Sequence, residues 1–516
     1  MTTSTKTTKK KIVLFAANTR YVGPPLGLLS ITKLLDLKKY DVKIITQNEY
    51  PDCENALVKE CKGAICLGIS VMSGFPLKAA KRVSQRVKAK YPKLPIVWGG
   101  WLTTTLPEES LKPSYVDYVC MGQGERLFSQ LIDVIDSRNF KDLNKIPRLG
   151  YKKGSKIFLS KRIGTDDIDS LPDFDMDLIK WENYLEITDF GKRVIRMTTS
   201  YGCPHRCSFC CEPLNSTRIW KALSAERVIN YIKKLKEKVD FDGLTIVDSN
   251  FFVSEERTIK IFKGILDSKL NIKIGQVNGR TNILVRYAPS TWRLLKKAGL
   301  YNILVGAESG NEEIMTFINK DATVEDTVKL AKICTKYSVQ MLASMIVGLP
   351  TERYLNDKEK AFQEDLNGVI DLYHKISPVG LQHQLIVFAF GPLPFSPLYN
   401  RSIEMGFKPP VDIDGWANYA LRNVRVPWIP KKGFSKVEVL NYTTMAIAMD
   451  RSNLFSSFPP SINMLIKPTL AIFKKIGEWR FRTKFLSFPL DLWLFYSGMY
   501  VFNEINKIFK IVRSTR

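Results

Sequence analysis

The sequence predicts an α/β protein made of an N-terminal doubly wound domain, a partial (β/α)6 barrel and a mainly helical C-terminal region. Two series of short apolar runs, separated by stretches of helical period, predict parallel strands joined by helices. After about residue 407 this alternation ends and a basic, aromatic region begins. We place the first domain at 11–137, a linker at 138–190, the barrel at 191–407 and the C-terminal region at 408–516.

The first series contains five apolar runs, KIVLFAA, DVKIIT, AICLGIS, PIVWGG and DYVCMG, with amphipathic segments such as AAKRVSQRVKAKY between them. Such runs typically form one parallel sheet with helices on both faces. The following range, 138–190, changes in character. Within it, GYKKGSKIFLSKR predicts a strand pair, and LPDFDMD is acidic and contains proline.

The second series begins at VIRMTTS (194–200) and continues through GLTIVDS, KIGQVNG, NILVGAE, QMLASMIVG and QLIVFAF. Helical segments such as AERVINYIKKLKEKV and VEDTVKLAKICTKYS separate these runs. Six strand–helix repeats, spaced by about 30 to 50 residues, predict a large part of a βα barrel. We expect the chemistry at the C-terminal ends of its strands, where such barrels carry their active sites.

The composition excludes a disordered tail and a disulfide-stapled miniprotein, because 516 residues with 45% hydrophobic content can bury substantial cores. Lys and Arg total 77 against 51 Asp and Glu, a formal net charge of +26. The surface should therefore attract anions such as nucleic acid, anionic lipid or acidic small molecules. The first eleven residues are polar and the chain has nine cysteines, which favours a cytoplasmic location with metal-binding or reactive thiols.

The strongest local motif is YGCPHRCSFCCEP, which places Cys203, Cys207 and Cys210 at C-x3-C-x2-C spacing just after a predicted strand. Three thiolates on one loop can converge on a single metal centre. A structural zinc site would need a fourth ligand, for which His205 and Cys211 are available. Three ligands to a four-iron cluster would instead leave one iron open to a substrate or cofactor, and we prefer this interpretation.

With Phe209 before its last cysteine, this loop resembles that of the radical S-adenosylmethionine superfamily. The resemblance implies that the three cysteines hold a 4Fe-4S cluster, whose free iron is chelated by the amino and carboxylate groups of S-adenosylmethionine. One electron from the cluster then cleaves the sulfonium to a 5'-deoxyadenosyl radical, which abstracts hydrogen from an unactivated C–H bond. The same resemblance implies an electron donor of the reductase or ferredoxin type.

Three later segments resemble S-adenosylmethionine-binding elements of the same superfamily, namely LTIVDSNFF (244–252), VGAESG (305–310) and MIVGLPTE (345–352). A fourth, FGPLPFSPLY (390–399), resembles the sixth-strand loop of one large subfamily. The resemblance places the first against the methionine moiety, the second at the ribose and the third near the adenine. The candidate residues for binding S-adenosylmethionine are Phe209, Asp248, Asn250, Glu308, Ser309 and Gly348.

The N-terminal segments GPPLGLLSITKLL, LGISVMSG, IVWGGWLTTTLPEE and VCMGQGE resemble a Rossmann-like cobalamin-binding domain that one large subfamily carries before the barrel. This resemblance implies bound cobalamin. Glycines at strand ends allow the backbone to approach a bulky ligand, and serines there can reach amides or phosphate of a nucleotide tail. The candidate residues are Ser70, Ser73, Gly99, Gly100, Gly122 and Gly124.

Two departures from the cobalamin-binding pattern concern the lower face of the cobalt. The D-x-H-x-x-G motif is absent, and Leu102 stands where the subfamily often has histidine. No histidine precedes His205 in the chain. The lower face of the cobalt would therefore be occupied by water, by a side chain such as Trp101, or by no group at all. Such a face would suit transfer of a methyl group as a radical. The alternative is a domain that only shapes the substrate channel.

Two other cysteines are predicted to pack in the interior. Cys211 is adjacent to Cys210, and neighbouring cysteines cannot easily both face one cluster. Cys334 lies within an amphipathic helical run, where a thiol behaves as a small apolar group.

The C-terminal residues 461–516 combine ten Lys or Arg with interleaved aromatics. Three interpretations remain open: an interfacial amphipathic anchor, a helical subdomain packed on the barrel, and a nucleic-acid surface. The longest apolar stretch, 485–502, contains Pro489 and Asp491, which argues against a membrane-spanning helix.

The sequence therefore predicts a radical S-adenosylmethionine enzyme, of the methyltransferase or carbon–carbon bond-forming type, that uses a 4Fe-4S cluster and cobalamin. We expect a hydrophobic substrate, such as a membrane lipid, and peripheral contact with the cytoplasmic membrane face through the C-terminal region. One alternative is an RNA-modifying radical enzyme, although we find no RNA-binding module and no additional cluster cysteines. The other is a cobalamin or metal sensor without catalysis.

Overall fold

A computed structural model of the chain describes residues 9–17, 23–161, 164–212, 216–379, 383–420, 424–448 and 460–498. The last part of the predicted C-terminal region, residues 499–516, lies outside this range, as do 449–459.

The N-terminal domain is built on a seven-stranded sheet with the order β2-β1-β3-β4-β5-β6-β7. Its strands are β1 (Lys10–Ala16), β2 (Tyr40–Thr46), β3 (Ala64–Ser70), β4 (Ile96–Gly99), β5 (Tyr118–Cys120), β6 (Leu149–Lys153) and β7 (Lys156–Leu159). The first five are parallel, and β6 and β7 are antiparallel additions at one edge. The strand pair predicted within 138–190 therefore exists, but it extends this sheet instead of lying in a linker, because β6 pairs with β5.

Helices follow each of the five parallel strands, which confirms the predicted doubly wound fold. They are α1 (Leu26–Ile31), α2 (Cys53–Glu60), α3 (Phe75–Lys90), α4 (Trp101–Thr105), α5 (Pro107–Leu111) and α6 (Glu125–Ser137). The ends of β3, β4 and β5 are in register, since Ser70 pairs with Gly99 and Gly99 with Cys120. Three strand-to-helix turns consequently meet at one edge of the sheet.

The second domain has six parallel strand positions, which confirms the predicted partial barrel. The strands are β8 (Val194–Met197), β11 (Gly243–Ile246), β12 (Lys273–Gly275) with β13 (Val277–Gly279), β14 (Asn302–Glu308), β15 (Gln340–Val347) and β16 (Gln384–Ala389). Gln276, with φ of 54°, interrupts the third position, so that β12 pairs with β11 and β13 with β14. A short antiparallel pair, β9 (Ser200–Tyr201) and β10 (Lys221–Ala222), follows β8.

Helices lie between these strands and after the last of them. They are α7 (Ala225–Lys238), α8 (Glu255–Asp267), α9 (Thr281–Leu284), α10 (Pro289–Lys297), α11 (Glu312–Phe317), α12 (Val324–Lys336), α13 (Arg353–Asn356), α14 (Lys358–Ile376) and α15 (Pro397–Glu404). In α7, Val228, Ile232 and Leu235 recur at the three- and four-residue spacing of a helix and are buried. Short 3-10 turns lie at Phe140–Lys145, Met176–Leu178, Trp181–Tyr184 and Ser377–Val379.

The C-terminal region packs on the barrel as a helical subdomain, which is one of the three interpretations of the sequence. Its helices are α16 (Ile413–Asn418), α17 (Gly433–Ala448) and α18 (Pro460–Thr483), and residues 490–498 are also helical. The amide of Asn441 in α17 bonds to both the N–H and the C=O of Val387. This side chain replaces the next strand at the edge of β16. Among the described helices, none has the length and apolar character needed to cross a bilayer.

A buried histidine ties β15, β16 and α12 together. The Nδ1 atom of His383 accepts a hydrogen bond from the N–H of Met341 (3.1 Å), so Nε2 carries the hydrogen and donates to the carbonyl of Ala331 (3.1 Å). Burial lowers the pKa of this imidazole to about 4. The folded state therefore favours the neutral ring.

We expect stability to fall on acidification partly through His383. The unfolded imidazole takes up a proton below about pH 6.5, whereas the folded one does so only near pH 4, so the stabilisation is complete above pH 6.5 and is lost between these values. The thermal unfolding midpoint of the wild-type protein should fall more steeply from pH 7 to pH 4.5 than that of a His383→Gln variant. Parallel pH profiles would contradict this assignment.

Candidate functional site

The three predicted cluster cysteines lie on one compact loop that follows β9, at the C-terminal end of β8. Cys207 is buried, and Cys203 and Cys210 are half-buried. The N–H of Cys210 donates to the carbonyl of Cys207 (3.1 Å), which closes a tight turn. Gly202 precedes the loop with φ of 84°, and a Cβ there would collide with the carbonyl of Ile219. The loop thus needs glycine at its first bend.

The middle of the loop is bonded to two other parts of the barrel through Ser208. Its N–H donates to the carbonyl of Ile318 (2.9 Å), and its carbonyl accepts from the N–H of Leu398 (3.0 Å). Its hydroxyl oxygen accepts from Asn319 Nδ2 (2.7 Å). Segments that follow β14 and β16 consequently fix the position of the cysteines.

Asp248, predicted to face the cofactor, supports the start of this loop. Its Oδ1 accepts from the N–H of Thr199 (2.6 Å), and its Oδ2 accepts from the hydroxyls of Thr199 (2.6 Å) and Ser200 (2.7 Å). Burial raises the pKa of this carboxyl, and the hydrogen bonds from Thr199 and Ser200 act in the opposite direction. The residue thereby joins the ends of β8 and β11.

Asn250 has a buried side-chain amide whose Oδ1 and Nδ2 have no partner within the described part of the chain. Buried amides are nearly always hydrogen-bonded, and leaving one unpaired costs about 1–3 kcal/mol. The hydroxyl of Thr351, in the segment 345–352, is unpartnered in the same way. These orphaned groups fit a ligand that offers both donors and acceptors, as S-adenosylmethionine does.

Glu308 forms a buried ion pair that the sequence did not indicate. Its Oε1 lies 2.6 Å from Nζ of Lys320, and the two side chains are only 6% and 5% exposed. Glu308 has φ of 60° at a register shift after Gly306. Ser309 is buried beside it, and its Oγ accepts from the N–H of Asn311 (3.1 Å), which leaves the hydroxyl hydrogen for another acceptor.

A buried arginine, which the sequence reasoning passed over, connects this ion pair to the cysteine loop. Arg280 follows β13 directly, and its guanidinium donates to Sγ of Cys207 (3.0 Å) and to the carbonyl of Lys320. The Nζ of Lys320 also lies 6.0 Å from the ring centroid of half-buried Phe209. The available sequence signal was an arginine immediately after the apolar run KIGQVNG.

The predicted adenine-side residue Gly348 has φ of 79°, and both of its backbone polar groups are already bonded. Its N–H donates to Asp365 Oδ2 (2.8 Å), and its carbonyl accepts from Trp428 Nε1 (2.9 Å). A Cβ at this position would collide with the side chain of Ile429. The C-terminal region therefore closes tightly over this strand end.

In the N-terminal domain, all six predicted cobalamin-site residues gather at one edge of the sheet. Ser70 and Gly99 end paired strands, and Ser73 follows β3. Gly100 (φ 111°) and Gly122 (φ 75°) have backbones that other residues rarely adopt. A Cβ at Gly124 would lie 2.9 Å from Ile31, so that glycine allows α1 and α6 to approach closely.

Gln123, between two of these glycines, is a further residue that the sequence reasoning missed. Its side-chain oxygen and nitrogen are buried and have no partner in the described residues. An unpaired amide beside glycine turns fits cobalamin, whose periphery carries amide groups. Leu102 is buried in the core, so its side chain takes part in packing.

The two domains meet at the end of the cysteine loop. The indole N–H of Trp101, at the start of α4, donates to Sγ of Cys211 (3.0 Å). Cys211 is buried, and Cys334 is buried within α12, which confirms that both pack in the interior. The strand-end face of the N-terminal sheet therefore lies against the cysteine loop.

A cavity of about 120 Å³ also lies between the domains. Its lining includes Ser30, Glu125, Phe174, Thr199, Tyr201 and Tyr231. The hydroxyl of Tyr231 is buried and has no partner in the described part of the chain. The space between the domains thus extends to the residues that precede the cysteines.

The spacing of the candidate ligands bears on the zinc alternative. Within the described residues, no three His, Cys, Asp or Glu side chains are placed to hold a single metal ion. Thiolates that bind different irons of a cube lie farther apart than ligands of one ion. Burial, Arg280 and Lys320 lower the pKa of His205 to about 4, so its imidazole is neutral at pH 7.

Comparison with protein families identifies both domains. Residues 197–358 match the model of the radical SAM superfamily, and residues 12–132 match the model of the B12 binding domain. The chain is a radical SAM enzyme with an N-terminal B12-binding domain. Its cofactors are a 4Fe-4S cluster, S-adenosylmethionine and cobalamin.

Curated relatives of this enzyme include methyltransferases and a cyclase. An uncharacterized methyltransferase of Pyrococcus horikoshii is 26% identical over 64% of this chain and 70% of its own. The anaerobic magnesium-protoporphyrin IX monomethyl ester cyclase of Synechocystis is 24% identical, over 68% of this chain and 70% of its own. The hopanoid C-3 methylase of Methylococcus capsulatus is 20% identical, over 62% and 60% respectively.

Two solved structures share the fold of this radical SAM enzyme. The cobalamin-dependent S-adenosylmethionine radical enzyme OxsB, with aqua-cobalamin and S-adenosylmethionine bound, gives a TM-score of 0.68 at 16% identity, over 92% of this chain and 72% of that chain. The radical S-adenosylmethionine methyltransferase TsrM from Kitasatospora setae, with cobalamin and a [4Fe-4S] cluster bound, gives 0.62 at 16% identity, over 77% and 78%.

The buried pair of Lys320 and Glu308 yields a prediction about stability. A Lys320→Met variant leaves Glu308 buried without its partner and should lose about 3–5 kcal/mol of stability. Adding Glu308→Gln should recover much of that loss, because the uncompensated charge is then removed. Chemical unfolding of the cluster-free proteins, followed by far-UV circular dichroism, measures both effects, and equal losses in the single and double variants would contradict the ion-pair explanation.

Proposed function

We propose that this enzyme modifies an unactivated carbon of a hydrophobic substrate, by methylation or by forming a carbon–carbon bond or ring. The supporting observation is the hydrogen bond between Trp101 and Cys211, which brings the strand ends of the B12-binding domain against the cysteine loop. The proposed cluster site and the proposed cobalamin site would then face the same bound substrate. The names of the relatives, a hopanoid methylase and a porphyrin cyclase, agree with a hydrophobic substrate.

We assign Cys203, Cys207 and Cys210 to the cluster, and Asn250, Glu308 and Ser309 to S-adenosylmethionine. When bound, these cofactors supply a carbon radical that can remove hydrogen from an unactivated carbon. Asn250 would bind through its unpaired amide, and Ser309 through its free hydroxyl hydrogen. Lys320 holds the Glu308 carboxylate in one position, and Asp248 and Gly348 support the surrounding backbone.

We assign the turns containing Ser70, Ser73, Gly99, Gly100, Gly122 and Gly124 to cobalamin, together with Gln123. When bound, methylcobalamin can supply a methyl group. The chain has no histidine before His205, and Leu102 is buried in the core, so this domain offers the cobalt no imidazole. The electron donor would be of the reductase or ferredoxin type, and we place substrate supply at the membrane, through the C-terminal region.

Anaerobic reconstitution with iron, sulfide and dithionite tests the radical chemistry. The wild-type enzyme should form 5'-deoxyadenosine from S-adenosylmethionine, and a Cys203→Ala, Cys207→Ala, Cys210→Ala variant should lose both product and cluster absorbance. Cys53→Ala, outside the site, is the matched control and should retain both. Product formation by the triple variant at the wild-type rate would refute the assignment.

Analysis of a host that lacks the enzyme tests the substrate class. We expect mass spectrometry of its lipid extract to show loss of a species heavier than its precursor by one methylene group, or loss of a cyclised species of unchanged carbon count. An unchanged lipid extract would remove the proposed hydrophobic substrate, and RNA that lacks a modification would favour the RNA-modifying alternative.

Arg280 is proposed as a positioning residue that sets the potential of the cluster through Cys207. If its hydrogen bond to Sγ is stronger by about 1.4 kcal/mol in the reduced cluster, removing it lowers the one-electron midpoint potential by about 59 mV. We therefore expect Arg280→Met to shift the potential down by roughly this amount and Arg280→Lys to shift it less. A redox titration followed by electron paramagnetic resonance measures the shift, and identical potentials in all three proteins would exclude this role.

A further inference from the structure

The described C-terminal end displays large apolar side chains to solvent. Phe488, Leu490, Trp493 and Leu494 are 72%, 57%, 71% and 59% exposed, and we call these four residues the C-terminal apolar surface. Single exposed apolar residues are common, but four within seven positions of the chain are not. Their neighbours Leu486, Leu492 and Phe495 are buried, so the segment is folded with one apolar face inward and another outward.

The buried side chain of Arg480 holds the segment that carries these exposed residues. The Nε of Arg480 donates to Asp491 Oδ2 (2.9 Å), and its two terminal nitrogens donate to the carbonyls of Phe485 (3.0 Å), Ser487 (3.0 Å) and Phe488 (2.9 Å) and to Asp491 Oδ1. All five guanidinium hydrogens are thus used. Burying such a charge is costly unless it is fully paired. The segment 485–491 is therefore held in one shape, with Phe488 pointing outward.

The chain segment that carries the C-terminal apolar surface is rich in cations. Apart from the Arg480–Asp491 pair, residues 468–498 contain the cations Lys474, Lys475, Arg482 and Lys484 and a single acid, Glu478. Lys484 pairs with Asp371, whereas Lys475 and Arg482 are exposed. Aromatic rings next to cations are typical of segments that lie in the interface of an anionic bilayer.

We propose that the C-terminal apolar surface binds an anionic lipid bilayer, with Phe488, Leu490, Trp493 and Leu494 entering the interface. This partner fits better than a second copy of the chain, because two copies of this cation-rich segment would repel each other. In this proposal the segment lies in the interfacial region of the bilayer. The inference deepens the proposed function by naming the source of a hydrophobic substrate, but it rests on geometry that does not involve the cofactors.

Sedimentation with sucrose-loaded vesicles tests this surface in the full-length, reconstituted enzyme. The vesicles contain phosphatidylcholine alone or an equal mixture of phosphatidylcholine and phosphatidylglycerol. The wild-type enzyme should bind the mixed vesicles at least tenfold more tightly, and added salt should weaken this binding. A Leu490→Ser, Trp493→Ser, Leu494→Ser variant should lose at least tenfold in affinity, without any change of charge. Val411→Ser, at an exposed apolar position outside the surface, should bind as the wild type does.

A second variant separates the charge from the apolar contact. Lys475→Gln with Arg482→Gln should weaken binding to the mixed vesicles and remove most of its salt dependence. Thermal unfolding midpoints and 5'-deoxyadenosine formation should stay at wild-type values in every variant, because the changed side chains are exposed. Vesicle sedimentation thus reports membrane binding, and 5'-deoxyadenosine formation reports the radical chemistry. Failure of one proposal can therefore be distinguished from failure of the other.

Several outcomes would overturn the proposal. The first is a wild-type enzyme that does not bind the mixed vesicles, and the second is a serine variant that binds them as tightly as the wild type. Lipid-free self-association that the serine variant abolishes would assign the surface to a second copy instead. Vesicle binding that appears only after deletion of residues 499–516 would show that those residues occupy the surface.

Discussion

Side chains from distant parts of the chain hold the cysteine loop at its two ends. The proposed chemistry depends on these contacts, because they position the three thiols. Asp248 fixes the residues before the loop, and Trp101 bonds to Cys211 after it. Between these ends, Ser208 bonds the loop to segments that follow β14 and β16. Its shape, and hence the separation of its three thiols, is set by these supports, much as outer contacts orient the ligands of other metal centres.

The buried charges behind the loop are arranged to favour a negatively charged group. Arg280 and Lys320 lie within reach of Cys207 and Phe209, and Glu308 balances only one of the two cations. Burial raises the pKa of the Cys203 thiol, and the charge of Arg280 acts in the opposite direction. Burial, and after it the same two cations, lowers the pKa of His205 to about 4, so this imidazole adds no positive charge at pH 7.

The C-terminal region completes the edge of the barrel and also carries the C-terminal apolar surface. Asn441 completes the hydrogen bonding of β16, and Trp428 bonds to the carbonyl of Gly348 at the end of β15. The helices that present the apolar surface are thus coupled by direct contacts to the open edge of the barrel. The same α17 that covers this edge also packs against α18, the helix that contains Arg480.

The sequence by itself determined the order of the strands and helices, the spacing of Cys203, Cys207 and Cys210, and the glycine turns, because each of these is recorded in local periodicity or spacing. Only the tertiary structure decided that β6 and β7 extend the first sheet, that Asp248 supports the loop, and which side chains contact the cysteines. Arg280 and Cys207 are 73 positions apart in the chain, and Trp101 and Cys211 are 110 apart. No local pattern encodes such pairs, since they form only when separate strands and domains pack together.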